Sequence, residues 1–225
     1  ALEGREGAVV ALDPSTGAID PSVTTRMINY TGGTAPLIRT LDVQDGYLYV
    51  GGRFTHATGS GVTREVYMRN LGRLNVATLA PDAWNPLLDG TVVSVDASAR
   101  GDRVYAAGYF GLSNWDTVTE RGGAYLVSDA SVIPWTPKFS NRDNNRTGYQ
   151  QAVKEIGDRV WLGGSEHMLF SYNRSTMQEM STNIAQNGGD FQAISPYGDD
   201  GLAAGCHCSE NIYQGARRWP DVGTF

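Results

Sequence analysis

An internal repeat constrains the fold of this 225-residue chain more than any other feature of its sequence. Four short apolar runs each follow a Gly or Asp turn and end in small residues. The runs end at Gly52, Gly108, Gly164 and Cys206, which lie 56, 56 and 42 residues apart. A period of this length is typical of folds built from one repeated supersecondary unit. The repeat therefore predicts several copies of one unit.

Each repeat contains the pattern of an antiparallel hairpin. A second apolar stretch precedes each run, and a Gly, Asp or Asn turn separates the two, as a tight hairpin requires. A third stretch follows, at 67–75, 123–129 and 167–173. Two repeats then end in Trp84-Asn-Pro86 and Trp135-Thr-Pro137, which suit an outer edge strand that need not donate every N–H.

Four strands in about 50 residues are the size of one β-propeller blade. The sequence thus predicts an all-β propeller of four-stranded antiparallel blades, and the small residues are expected where inner strands crowd around the axis. A β-sandwich with regularly spaced strands is the alternative. The expected divisions are the outer strands of a preceding blade at 1–30, blades at 37–86, 91–137 and 149–184, and the start of a further blade at 191–225.

The two ends of the repeat allow two interpretations. The N-terminal strands could complete the last blade and close a small ring of about four blades, which is the low end of the usual range. Alternatively, the region is an incomplete part of a larger propeller whose polypeptide carries further domains. We favour the second interpretation.

Composition excludes several classes of protein. The chain has 28 Gly and 22 aromatic residues, and 19% of its residues are charged, which argues against coiled coils, helical bundles and disordered chains. A net charge of −6 argues against nucleic acid as a partner, because phosphate binding needs clustered Lys and Arg. We also expect no transmembrane segment, since no apolar run approaches the ~18 residues that a span requires.

Specific strings carry a resemblance to a known family. Tyr49-Val-Gly-Gly-Arg-Phe54, the stretch Leu12–Pro21 and the Trp-x-Pro strings resemble bacterial propellers of the delta-sixty-repeat type. The similarity covers most of residues 7–213. It implies a propeller fold and a secreted or surface-attached protein, and it says little about activity because one fold hosts many functions.

Three histidines and two cysteines are candidate site residues. His56, His167 and His207 each follow the end of a repeated run, so all three are expected in loops on one face of the ring. Cys206 and Cys208 are the only cysteines. In a secreted protein such a pair suggests a disulfide, although free thiols or two ligands of a metal site, both facing one side of a strand, remain open.

Two loops offer further candidates. Asn114, Trp115 and Asp116 place an aromatic ring between amide and carboxylate groups, as a carbohydrate contact would require. In the polar loop 139–147, Arg142 and Asp143 are candidate ligand contacts, and Asp143 lies between two asparagines at the alternating spacing that Ca²⁺ ligands use. This loop therefore offers one candidate cofactor, a structural Ca²⁺, and no other cofactor is predicted. A solvated loop explains the same residues.

The predicted function is an extracellular binding or structural module that recognises protein or carbohydrate at a bacterial cell surface. No nucleophile elbow, zinc-protease motif or phosphate-binding loop occurs in the sequence, so the sequence favours a non-enzymatic role. A secreted glycan hydrolase, lyase or oxidase with its site at the axial mouth is the first alternative. A component of a multi-copy surface or virion assembly is the second.

Overall fold

The computed structural model describes residues 7–135, 137, 148–165, 167–186, 189–198, 201–208, 210–213 and 217–220. Of residues 182–186, 210–213 and 217–220 it describes the backbone only. Within these ranges every regular secondary-structure element is a β-strand, which confirms the predicted all-β class. Across the same ranges, no helix is long and apolar enough to cross a lipid bilayer.

The strands follow one another at short intervals along the chain. In order they are β1 (Arg26–Ile28), β2 (Leu37–Gln44), β3 (Tyr47–Arg53), β4 (His56–Thr58), β5 (Val66–Tyr67), β6 (Leu71–Asn75), β7 (Val92–Ala97), β8 (Arg103–Gly108), β9 (Leu112–Ser113), β10 (Thr117–Val118), β11 (Gly122–Leu126), β12 (Val132–Ile133), β13 (Gln150–Ile156), β14 (Arg159–Gly164), β15 (Met168–Asn173), β16 (Glu179–Gln186), β17 (Phe191–Tyr197), β18 (Gly201–Cys206), β19 (Glu210–Tyr213) and β20 (Arg217–Pro220).

The repeated strands form antiparallel sheets that correspond to blades. The first blade contains β2, β3 and β6, and the bridge between Leu74 and Pro81 adds an outer position. The second blade is β7, β8, β11 and β12, and the third is β13 to β16. Strands β17 and β18 form a separate two-stranded ribbon, whereas β19 and β20 continue the sheet of the third blade beyond β16.

The N-terminal residues form an outer hairpin beside the first blade. Ala8 pairs with Arg26, and Leu12 pairs with Ile19. The turn of this hairpin repeats in other blades, because a side-chain oxygen accepts backbone N–H groups two and three residues later. The accepting residues are Asp13, Asn75 and Asn173. We call residues 7–27 the N-terminal hairpin.

The connections between second and third strands differ from blade to blade. In the first blade this connection carries β4 and β5, and β1 adds to them as a third strand. In the second blade it carries the hairpin of β9 and β10. In the third blade only residues 165–167 separate β14 from β15. The first and second blades therefore carry long connections on this side, whereas the connection in the third blade is short.

The hydrophobic core lies between blades. We call the contacts of the first blade with the second, the second with the third, and the third with the β17–β18 ribbon the first, second and third interfaces. Their large buried side chains include Trp84, Tyr49 and Tyr125 at the first, Trp135, Tyr105 and Tyr172 at the second, and Trp161 and Phe191 at the third. Both faces of the second strands β3, β8 and β14 are buried, so their sequences are continuous apolar runs.

Small residues at the end of each second strand allow the next blade to approach closely. A Cβ atom on Gly51 would lie 2.6 Å from Cγ1 of Val92, and one on Gly163 would lie 2.6 Å from Cβ of Phe191. Val92 and Phe191 each belong to the first strand of the following blade or ribbon. The glycines therefore have a steric cause at these interfaces.

Side chains of the first strands β2 and β7 also hydrogen-bond the first strand of the next blade. A first strand has a sheet partner on one edge only, so the N–H groups on its other edge need acceptors. The four bonds run from Val95 N to Thr40 Oγ1 (3.2 Å), Ala97 N to Asp42 Oδ2 (2.7 Å), Val153 N to Ser94 Oγ (3.2 Å) and Glu155 N to Asp96 Oδ2 (2.6 Å). A hydroxyl followed two residues later by a carboxylate thus serves both interfaces.

A cluster of charged side chains supplements the second interface. The buried Arg174 donates to Glu155 at 2.9 Å and also contacts the carboxylate of Asp102. Tyr105 donates its hydroxyl to Glu155 at 2.7 Å. Burial opposes the ionisation of Asp102, but the Arg174 and Arg103 guanidiniums outweigh it and hold the pKa of this carboxyl below its usual value.

Candidate ligand-binding face

The loops expected to carry the site share one end of the sheets. In an antiparallel hairpin the start of the first strand lies beside the end of the second. The first strands β2, β7, β13 and β17 contact one another in succession, so they are the innermost strands of the propeller. Residues just before these strands and just after β3, β8, β14 and β18 therefore surround one face, which we call the loop face.

The structure distributes the predicted site residues over several parts of the loop face. His56 lies in β4, Asn114, Trp115 and Asp116 form the turn between β9 and β10, His167 lies in the short turn before β15, and His207 directly follows β18. Arg142 and Asp143 lie outside the described residues, as does the predicted Ca²⁺ loop. In the part of the chain that the structure describes, no three His, Cys, Asp or Glu side chains are grouped as a metal site.

An exposed row of aromatic side chains runs along the first and second blades. The His56 ring centroid lies 5.2 Å from that of Tyr30 and 5.0 Å from that of Tyr67. Arg69 places its guanidinium carbon 4.3 Å from the centroid of the Trp115 ring. Tyr67 and Arg69 flank the buried Met68, so both point away from the core. We call Tyr30, His56, Tyr67, Arg69 and Trp115 the aromatic stripe.

Polar contacts hold the first part of the stripe in place. The backbone N–H of Tyr30 donates to Thr55 Oγ1 at 3.1 Å, and this hydroxyl lies 3.0 Å from Nδ1 of His56. The Tyr30 hydroxyl donates to both carboxylate oxygens of Glu65 at 2.9 Å. That bond raises the pKa of Tyr30, so its hydroxyl remains a donor at neutral pH.

Backbone geometry positions the second part of the aromatic stripe, which contains Tyr67, Arg69 and Trp115. Asn85 donates from Nδ2 to the Tyr67 carbonyl and accepts the Arg69 N–H at Oδ1. Asn114 and Trp115 adopt φ values of 50° and 74°, an uncommon pair of left-handed residues that turns the Trp115 ring outward. The side chains of the stripe are thus positioned before any ligand arrives.

A second group lies at the start of the innermost strands, where the third blade meets the ribbon. Tyr109 and Tyr149 stack with centroids 4.5 Å apart and planes 16° apart. The Tyr149 hydroxyl and Gln151 Nε2 donate to Oδ2 of Asp190 at 3.2 and 2.9 Å. His167 Nε2 lies 3.9 Å from Asp190 Oδ1. We call these five residues the mouth cluster.

The chemistry of the mouth cluster is that of hydrogen bonding and stacking. Burial first, and then the Asp190 charge, raise the pKa of Tyr149 to about 12, so its hydroxyl donates at neutral pH. A His–carboxylate pair within hydrogen-bonding distance would favour the enzyme alternative. The 3.9 Å between His167 Nε2 and Asp190 Oδ1 exceeds that distance, so the two side chains are not hydrogen-bonded to each other.

The cysteines lie beside the mouth cluster. The sulfurs of Cys206 and Cys208 are within bonding distance, and the Cα atoms are 5.3 Å apart. His207 lies between them, and its Nδ1 is 3.3 Å from Nε2 of Gln192. Oxidation of the pair in solution remains a prediction.

Sequence reasoning missed most partners of the predicted residues. Tyr30, Arg69 and Asp190 are brought in from 26, 46 and 23 residues away from His56, Trp115 and His167, and no local pattern announces them. Tyr109 carries a detectable signal, because a large aromatic directly follows the small residue Gly108 that ends a repeated run.

Comparisons with known proteins identify the fold. The chain aligns with the β-propeller domain of Cps50 (Swd1) from Myceliophteria thermophila at 10% identity and a TM-score of 0.56, covering 91% of this chain and 57% of that domain. It aligns with U3-55K at 10% identity and a TM-score of 0.50, covering 76% and 45% of the two chains. It aligns with the computationally designed Ika8 protein at 9% identity and a TM-score of 0.50, covering 97% of this chain and 51% of that protein.

These likenesses establish the β-propeller fold that the repeat predicts. The chain spans about half the length of the solved structures that it matches. No protein-family model and no curated protein sequence matches it. The delta-sixty-repeat resemblance therefore remains a prediction.

Proposed function

We propose that this chain is a recognition module at a bacterial cell surface that binds carbohydrate or protein through its loop face. The observation that carries the proposal is the aromatic stripe. The secreted location and the further domains of the same polypeptide rest on the delta-sixty-repeat resemblance. The propeller fold is compatible with such a role, because it presents several loops on one face of a rigid scaffold.

The stripe has the properties of a binding surface. Tyr30, Tyr67 and Trp115 are 64%, 40% and 51% exposed, although large aromatic side chains gain about 1.5–3 kcal/mol when fully buried. Tyr30 is held by its hydrogen bond to Glu65, Tyr67 packs against the His56 ring, and Trp115 lies against the Arg69 guanidinium. Little side-chain freedom is therefore lost on binding. A ligand that covers these rings would thus gain burial at low entropic cost.

Carbohydrate is the favoured ligand. The rings offer flat apolar faces, and Glu65, Asn114 and Asp116 stand beside them as hydroxyl partners, which is the mixture that sugar rings require. The net charge of −6 disfavours strongly anionic polymers. We therefore expect a neutral or amino-substituted polysaccharide.

Binding measurements with the full chain test the proposal. Neutral cell-wall polysaccharides, amino-sugar polymers and extracted surface proteins serve as probes in calorimetry. We expect Trp115→Ala and Tyr67→Ala each to weaken binding at least tenfold, about 1.4 kcal/mol. Tyr197→Ala is the matched control, because Tyr197 is 74% exposed and lies outside the stripe.

The outcomes separate the ligand classes. Saturable binding of a polysaccharide that is lost in the stripe variants and retained in Tyr197→Ala supports the carbohydrate assignment. Stripe-dependent binding of protein alone would replace it with a protein ligand. Absence of binding to every probe, or equal loss in all variants, contradicts the proposal.

The location is tested through the cysteines. A secreted protein should carry Cys206 and Cys208 oxidised, so a thiol-alkylating reagent should modify the native producer's protein only after reduction. Full alkylation without a reductant, in protein collected outside the cell, would contradict a disulfide at this position.

A further inference from the structure

Two arginines of the first blade lie against aromatic rings, and they differ in what their N–H groups bind. The guanidinium carbon of Arg73 lies 3.9 Å from the centroid of the Tyr47 ring. Arg73 also donates to the Val127 carbonyl at 2.7 Å and pairs with the Asp82 carboxylate at 3.2 Å. In Arg73, an aromatic ring therefore lies over the face of the guanidinium while oxygen atoms bind its edge.

Arg69 has the same kind of aromatic contact without the oxygen atoms. Its guanidinium carbon lies 4.3 Å from the centroid of the Trp115 ring. Among the described residues, no carbonyl or carboxylate oxygen accepts a hydrogen bond from the Arg69 side chain. Arginine stays charged and carries five N–H donors on a planar group. Since the Arg69 side chain is only half-buried, water or a ligand must supply the acceptors.

The surroundings of Arg69 favour a neutral carbonyl oxygen as that acceptor. The exposed carboxylate of Asp116 directly follows Trp115, and the net charge of the chain is −6, so an anionic ligand meets repulsion. Trp115 is 51% exposed, so the part of its ring that Arg69 leaves uncovered offers an apolar surface for a small alkyl group. A carbonyl that carries a methyl group matches both features.

A hydrogen-bond acceptor lies at the other end of the aromatic stripe. The Thr55 hydroxyl donates to the Ile28 carbonyl at 3.3 Å. Because a hydroxyl has one proton, this oxygen can only accept from Nδ1 of His56, which lies 3.0 Å away. Nδ1 thus carries the proton of the neutral ring, and Nε2 is the acceptor. Nε2 has no hydrogen-bond partner within the part of the chain that the structure describes.

We propose that the stripe selects polysaccharides of N-acetylated amino sugars. The acetamido carbonyl accepts from the edge of the Arg69 guanidinium, the acetyl methyl group packs on the Trp115 ring, and a sugar hydroxyl donates to Nε2 of His56. An acylated side chain of a protein would satisfy Arg69 and Trp115 but brings no hydroxyl for His56. This inference rests on the proposed function and specifies the ligand class of the same site.

Three matched oligosaccharides test the inference. Linear oligomers of N-acetylglucosamine, glucosamine and glucose, with the same linkage and equal length, differ in one group on each sugar, which is acetamido, ammonium or hydroxyl. Calorimetry with the full chain measures their affinities. We expect the acetamido oligomer to bind at least about tenfold more tightly than the other two, because a hydrogen bond to a charged donor contributes at least that factor.

Two variants assign the preference to Arg69. Arg69→Met removes the guanidinium and keeps an unbranched side chain beside Trp115, so the ratio of acetamido to hydroxyl affinities should fall to nearly one. Arg64→Met is the matched control, because Arg64 is an exposed arginine of the same connection outside the stripe. It removes the same charge and should keep the ratio. Circular dichroism checks that both variants are folded.

The outcomes separate this inference from the proposed function. Stripe-dependent binding of all three oligomers with equal affinity, or an acetamido preference that Arg69→Met retains, would overturn the inference and leave carbohydrate binding intact. Loss of the preference in Arg64→Met as well would mean a general effect of charge and would also count against it. Absence of binding to all three oligomers overturns the inference, and the proposed function then stands only if another polysaccharide binds through Trp115.

Discussion

The first two blade interfaces differ from the third in how the inner strands are joined. At the first and second interfaces, Thr40 with Asp42 and Ser94 with Asp96 accept N–H groups of the following strand. At the third interface, the equivalent residues of β13 are Ala152 and Lys154. The Ala152 side chain has no polar atom, and the charged Lys154 ammonium can only donate, so neither side chain accepts a hydrogen bond.

The following strand changes in step. The residue of β17 at the register position of Ala97 and Glu155 is Pro196. Proline has no N–H group. Lys154 instead points back to Asp96. At the carboxylate position, an acceptor is therefore absent where the next strand has no donor. At the hydroxyl position the two do not match, because Ala152 replaces the acceptor although the facing residue, Ile194, has an N–H group. The comparison teaches that the carboxylate position follows the hydrogen-bonding groups of the facing strand, and that the repeated fold does not impose one fixed side-chain pattern.

The largest expected effect comes from removing Asp96. This carboxylate is 1% exposed, and it accepts the Glu155 N–H and the Lys154 ammonium. Burial raises its pKa, although both partners oppose that rise. Asp96→Ala leaves two donors without an acceptor, so we expect a loss of about 3 kcal/mol in urea unfolding.

Asp42→Ala is the matched comparison for this loss. Asp42 accepts one N–H of the following blade and is only half-buried, so the expected loss is about 1 kcal/mol. Equal losses in the two variants would contradict the greater dependence of the second interface on its carboxylate.

Removing a hydroxyl acceptor should have a smaller effect. Ser94→Ala and Thr40→Val each leave one backbone N–H of the next strand without its partner, and we expect losses of about 1 kcal/mol each by urea unfolding. Ser195→Ala removes an exposed hydroxyl of the ribbon and should change the free energy of unfolding by less than about 0.5 kcal/mol. A Ser94→Ala variant as stable as wild type would show that this bond is dispensable.

Acid should weaken the charged cluster of the second interface selectively. The pKa of Asp102 is lower in the folded protein than in the unfolded chain. Its contribution is therefore present above about pH 4 and is lost as the pH falls through the lowered folded value. We expect the urea midpoint to fall less steeply with acid in Asp102→Asn than in wild type, and identical slopes would contradict the assignment.

The smallest effect is expected at the third interface. Pro196→Ala creates an N–H that has no side-chain acceptor in β13, but the residue is exposed and water can satisfy the new donor. The free energy of unfolding should change by less than about 0.5 kcal/mol. A loss above about 1 kcal/mol would contradict the exposure of this position and the comparison of the interfaces.

The fold was predictable because its evidence is local and repeated. Gly52, Gly108 and Gly164 recur at a fixed interval, and a Cβ atom on each would lie 2.0–2.3 Å from a backbone carbonyl oxygen at or just before the start of the paired first strand of the same blade. The hydrogen bonds that join the blades were harder to predict from the sequence, because Asp42 and Ala97 are 55 residues apart. Only the pairing register shows that Lys154 is equivalent to Asp96 and that Pro196 is equivalent to Ala97.

The candidate site was predictable only in part. His56 and Trp115 were found from the chemistry of their loops, but their partners Tyr30 and Arg69 come from other connections. The three histidines share the loop face as topology demands. They have different neighbours, because His56 contacts Tyr30, His167 lies 3.9 Å from Asp190 and His207 lies 3.3 Å from Gln192. One face therefore does not mean one cluster.

Amide hydrogen exchange tests the account of the blade interfaces most directly. The N–H groups of Ala97 and Glu155 lie on unpaired strand edges, yet both should exchange slowly because Asp42 and Asp96 accept them. We expect Asp42→Ala to accelerate exchange at Ala97 alone, and Asp96→Ala at Glu155 alone, in protein that remains folded. Rapid exchange at both amides in the wild type, or unchanged protection in both variants, would contradict the account.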